Sequence, residues 1–188
     1  PLGIGFHYTS DPTSVFLVIS VFLLALALRN RFSWEQVLVF ASCITLIGTF
    51  LFSNIASTVF DQLIDIYNQI LPGTDGIPAL EDKELVKIMI AGYSVMFYFF
   101  SIAVLSLARW WQSCLYNPSG FGSEFHSLRL PPFVSIAAVL AVFFCLVFVD
   151  RLGVWAPFVG SPLFIAGLGL MHWTFEAAKI SSFWLIGF

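Results

Sequence analysis

The sequence predicts an all-α membrane protein: a polytopic helix bundle with at least five transmembrane helices and one extracytoplasmic amphipathic helix. Three observations carry this. Of 188 residues, 59% are hydrophobic and only 10% charged, with a mean hydropathy of +0.93. An ordinary domain is about half apolar and about a quarter charged, and a chain this short cannot hide the excess in one core. Five runs without Asp, Glu, Lys or Arg cover residues 12–28, 36–60, 88–108, 130–149 and 152–175. Residues 53–71 instead carry a stripe of period 3.6, the mark of a surface helix. The composition excludes a soluble enzyme, a disordered chain and a disulfide scaffold. A net charge of −3 and a pI of about 5.5 argue against a nucleic-acid partner.

Each run matches the roughly 20 apolar residues that cross a bilayer as a helix. Barrel strands would alternate every second residue, and these runs do not. Local punctuation places the helices near 12–29, 34–52, 84–113, 132–149 and 162–180. Asp11-Pro12 reads as a cap followed by proline at the first helical position. Ser33-Trp34-Glu35-Gln36 is a capping box. Pro131-Pro132 opens the fourth helix, and Ser161-Pro162 reads as the opening of the fifth.

The segment 53–83 is the extracytoplasmic amphipathic helix and its linker. Ile55, Val59, Phe60, Leu63, Ile66 and Tyr67 form its apolar stripe, and Pro72-Gly73 ends it. Its polar face has no Lys or Arg, unlike helices drawn to anionic lipid. It reads as a helix lying on the outer mouth of the bundle, or as a lid with Asp61 and Asp65 near a cavity entrance.

Lysine and arginine set the orientation. Arg29, Arg31, Arg109, Arg129 and Lys179 share one side; Lys83, Lys87 and Arg151 share the other, diluted by acidic residues. The Arg29/Arg31 loop and the 109–130 loop are therefore expected in the cytoplasm. Trp34, Trp110 and Trp111 fit a cytoplasmic aromatic belt, and Trp155 an outer one. The chain begins without Met and ends within an apolar run. It reads as a single bundle domain, 1–188, from the middle of a longer protein.

Candidate chemistry is sparse. Counted from Ser161, His172 falls roughly 16 Å into the last span, near mid-membrane. Glu176 follows one turn later on the same face. Ionisable residues inside a membrane usually face a cavity or a bundle interior. His172 and Glu176 are thus candidates for a polar cavity or a proton-linked site. Alternatively, Glu176 pairs with Lys179 and His172 only packs. No second histidine is placed by spacing to support a haem. Arg109, Trp110, Glu124, His126 and Arg129 are candidates for docking a cytoplasmic partner, or they belong to a loop stapled by aromatics. Cys43, Cys114 and Cys145 lack metal spacing, and Cys43 and Cys145 read as packing residues inside spans. Gly48, Gly92, Gly167 and Gly169 read as close-packing positions. No catalytic triad, metal cluster or phosphate loop is present in the sequence, so no enzyme activity and no cofactor or metal are expected.

Three stretches carry a resemblance: Ala108-Arg109-Trp110-Trp111-Gln112, Leu115–Phe121 with Glu124–Leu130, and Gly167–His172. With the opening Pro1–Phe6, they resemble the YybS-like family of bacterial integral membrane proteins. The resemblance implies the bacterial cytoplasmic (inner) membrane. It also implies a fold similar to the substrate-binding subunits of energy-coupling-factor transporters. On that footing the chain is expected to be a substrate-binding and uptake subunit with a small-molecule ligand. The alternative is a non-catalytic accessory or scaffold subunit of a larger membrane complex, in contact with other membrane subunits. The family has no established catalytic residues to carry over. The long acidic segment 53–87 departs from its usual pattern.

Overall fold

The structure is a computed structural model that describes residues 12–55, 82–118 and 120–179. Every regular element among them is helical. In chain order these are α1 (Pro12–Arg29), α2 (Trp34–Ile55), α3 (Asp82–Tyr116), α4 (Gly120–His126), α5 (Pro132–Val147) and α6 (Val149–Leu152). A 3-10 turn, Gly153–Trp155, then leads into α7 (Ala156–Ala177). Among the described residues, three stretches are long and apolar enough to cross a membrane: Trp34–Leu51, Lys83–Tyr116 and Val149–Ala177. Residues Ser14–Arg29 and Pro132–Val147 form shorter apolar helices. At 1.5 Å per residue α5 spans about 24 Å, short of a bilayer core of about 30 Å. The expectation of five or more spans thus becomes three long apolar helices and two shorter ones. Most of the amphipathic segment, including Asp61 and Asp65, lies outside the described residues.

The local signals explain most boundaries. The Ser33 amide donates to Gln36 Oε1 at 3.0 Å, the return half of the predicted capping box. α1 ends in a Schellman motif, with Phe32 N–H donating to the Ala27 carbonyl and Arg31 N–H to that of Leu28, each at 3.1 Å. That motif needs a left-handed residue, and Arg31 supplies it at φ 65° where glycine is usual. One boundary differs. The last helix starts at Ala156, with Pro157 in its first turn, and Pro162 lies inside it. Proline at 162 cannot donate to the Phe158 carbonyl. Ser161 Oγ sits beside that gap and donates to the Pro157 carbonyl at 2.8 Å. Ser-Pro is therefore an interior break here, not a start.

α3 is the central post. It packs on α1, α2 and α7, and α5 packs on α7. Tyr98, Leu24, Val37 and Leu38 are fully buried between them, with Ala41, Ile102, Leu105, Phe158 and Ile165 completing the core. A buried bond of 2.7 Å joins the hydroxyls of Thr49 and Ser94, tying α2 to α3. Such bonds hold apolar helices together where no hydrophobic drive acts between them. α5 has one buried residue, Cys145, and turns Phe133, Ile136, Leu140, Phe143 and Phe144 outward. Cys43 is exposed on α2, so its expected packing role is not met.

Two of the four singled-out glycines do allow close approach. A Cβ at Gly48 would lie 2.1 Å from the Phe16 ring, and one at Gly169 would lie 3.0 Å from the Phe125 carbonyl. Gly92 and Gly167 have open space where a Cβ would sit.

Candidate functional site

The polar side chains converge at the end of the bundle that carries Arg29, Arg31, Arg109 and Arg129. The organiser is α4, seven residues long. Its entry is fixed by Ser113, whose hydroxyl donates to the Asn117 carbonyl at 2.8 Å and accepts from the Phe121 amide at 3.0 Å. Phe121 meets Trp34 edge-on at 6.0 Å and stacks on Phe125 at 6.0 Å. Leu128 follows α4 and is buried. The stretch 109–129 is therefore two helical pieces joined by a turn. The expected aromatic staple is present within it.

Glu124 anchors one side of α4. Arg109 grips it with a two-pronged contact, Nε to Oε2 at 3.1 Å and Nη2 to Oε1 at 2.5 Å. Paired contacts of this kind add directionality to charge attraction. Trp34 Nε1 donates to Oε2 at 3.2 Å, and Arg109 also donates to Gln112 at 2.7 Å. The hydrogen bond from Arg109 holds the Glu124 carboxyl below its ordinary range, and that from Trp34 adds to it, against the opposing effect of burial. Trp34 is buried, so it is a structural donor here and not a member of an aromatic belt. Trp110 and Trp111 are exposed.

His126 anchors the other side. Its Nδ1 meets Glu176 Oε2 at 2.7 Å, and its Nε2 contacts His172 Nδ1. The imidazole centroids lie 4.6 Å apart, and Phe125 meets His172 edge-on at 6.1 Å. When Glu176 accepts from Nδ1 of a neutral His126, the tautomers follow in order: His126 Nε2 accepts from His172 Nδ1–H. The chain Glu176–His126–His172 thus bridges α7 and α4. Gly169 leaves room for it, because Phe125 and Leu128 pass over α7 there.

The structure brings His172, Glu176 and His126 together. Spacing placed the first two as one group, but assigned His126 to a docking patch. His172 is not at mid-helix, because α7 begins earlier than Ser161. It lies five residues before Ala177, roughly 7.5 Å from the helix end. Glu176 pairs with His126 rather than with Lys179. Arg109 and Glu124 are occupied with each other. Trp110 and Arg129 remain exposed. Trp34 and Ser113 were missed as site residues, since nothing local ties them to Glu124 or Phe121.

Among the described residues, two cavities flank α4. One, of about 630 Å³, is bounded by Leu28, Arg29, Ser33, Trp34, Glu35, Arg109 and Glu124 among others. The other, of about 300 Å³, lies between the 126–130 segment and Leu163, Ala166, Gly167 and Trp173 of α7. No group of three metal ligands is found among the described residues. No family model, curated protein or solved structure matches the chain.

Proposed function

We propose that the protein is a non-catalytic accessory subunit of a larger bacterial inner-membrane complex, and that it presents α4 at its cytoplasmic end as a rigid platform for a partner. The observation that carries this is the double anchoring of α4. A seven-residue helix cannot hold itself in place. Here Arg109 and Trp34 fix it to α3 and α2, while His172 and Glu176 fix it to α7. Trp110 and Arg129 are exposed near it and available to a partner. The middle of the bundle is filled by Tyr98 and its neighbours. The outward face of α5 suits lipid or other membrane subunits. The orientation follows from the excess of arginine at this end.

The alternative is the uptake subunit that the resemblance to the YybS-like family implies. It calls for a ligand cavity lined by α7 and open to the outer side. Among the described residues, a cavity that α7 lines, beside His126, lies at the arginine-bearing end, which favours the accessory reading.

Purification of the intact protein from its native membrane in mild detergent tests this. A constant stoichiometric partner, lost in an Arg109→Ala/Glu124→Ala variant that still purifies folded, is the expected result. An ATPase module together with a bound small molecule would overturn it in favour of uptake. His172→Ala should loosen the partner; an unchanged complex would remove the imidazole pair from the platform.

A further inference from the structure

The cavity of about 630 Å³ has a built polarity. Ala25, Leu28 and Leu105 line it on the bundle side. One turn further out on α1 and α3 come Arg29 and Arg109, and the start of α2 adds Ser33 and Glu35. Its volume falls in the roughly 300–1,000 Å³ of small-molecule sites. Four charged side chains line it. Arg109 and Glu124 satisfy each other. Arg29 and Glu35 have no side-chain hydrogen bond or ion pair among the described residues. Among the described residues, the cavity therefore offers a ligand one free cation and one free anion, next to an apolar wall.

An anionic headgroup would meet Glu35 as well as Arg29, so net negative charge is not what this mouth selects. A zwitterion satisfies both. We infer that the cavity binds an aminophospholipid, its phosphate on Arg29 with Ser33 as a further donor, its ammonium on Glu35, and its acyl chains along Ala25, Leu28 and Leu105. Placement supports a membrane lipid over a soluble molecule. Arg29 closes an apolar helix, so the mouth sits where headgroups lie when that helix is in a bilayer. The inference rests on the membrane reading above, whose failure shows separately, as a chain that leaves the membrane without detergent.

The test uses the intact chain in nanodiscs of equimolar phosphatidylethanolamine and phosphatidylglycerol with matched acyl chains. Lipid retained after release is counted by native mass spectrometry. Wild type should retain phosphatidylethanolamine in preference. Arg29→Gln should lower that retention about fivefold, the loss of one cation at the headgroup. Glu35→Gln should abolish the preference between the two lipids. Ala25→Trp, which fills the apolar wall one turn before Arg29, should lower retention of both, so the inference stays testable if a charge variant does not fold. Equal retention of the two lipids by wild type, or retention unaltered across all three variants, overturns it. Displacement of the retained lipid by free phosphoethanolamine at low millimolar concentration would reassign the site to a soluble ligand and overturn it equally.

Discussion

At the scale of single residues, Glu124 is the best-defined group. It accepts from Arg109 and Trp34 and is about two-thirds buried, so its charge is partly screened by solvent. Glu124→Gln removes the charge and keeps the shape, and should cost about 1 kcal/mol of stability in detergent near neutral pH. The pH dependence has a definite sign. The folded-state pKa of Glu124 is depressed, so its contribution is complete above the ordinary glutamate value and is lost as pH falls below it. The stability gap between wild type and Glu124→Gln should therefore close below about pH 4.3. A gap that persists unchanged in acid would show that charge at Glu124 does not anchor α4. The partners of Glu124 also mark where local reading ends. Trp34 is 90 residues away, and its position after Ser33 fits an interfacial tryptophan as well as a buried donor. His126 and His172 are 46 residues apart. Nothing in either neighbourhood announces the other.

At the scale of elements, boundaries set by local chemistry were legible, and those set by packing were not. The starts of α2 and α5 follow from the capping box and from proline, which act within one turn. The start of α7 was misplaced because Ser161-Pro162 looks the same at a helix entry and at an interior break. Packing around Ser161 and Phe158, both buried, keeps the helix continuous through it. The crossing of α4 over α7 gives an element-level prediction. Gly169→Val would push against the Phe125 carbonyl, which cannot rotate away. It should destabilise the protein by about 1–3 kcal/mol and expose α4 to proteolysis before the rest. Gly92→Ala, in open space on α3, should be neutral or stabilise by up to about 1 kcal/mol. Equal effects of the two would mean that Gly169 does not set the crossing.

At the scale of the whole molecule, composition announced a helical membrane bundle, and among the described residues three helices are long and apolar enough to cross a bilayer. Composition says how much apolar surface exists, not how it divides between core and lipid. That is why α5 counted as a full span by hydropathy although it is 16 residues long. It is also why the site was sought at mid-membrane, when His126, His172 and Glu176 gather with Arg109 and Glu124 around α4 at one end. The proposed platform and its proposed partner depend on that end facing the cytoplasm. Cysteine labelling tests this most directly. In a background with Cys43, Cys114 and Cys145 replaced, Ser123→Cys reports on α4 and Asp150→Cys on the opposite end; both positions are exposed. A membrane-impermeant maleimide applied to intact spheroplasts should label position 150 at once and position 123 only after lysis. Labelling of position 123 in intact spheroplasts, with position 150 protected, would contradict the account.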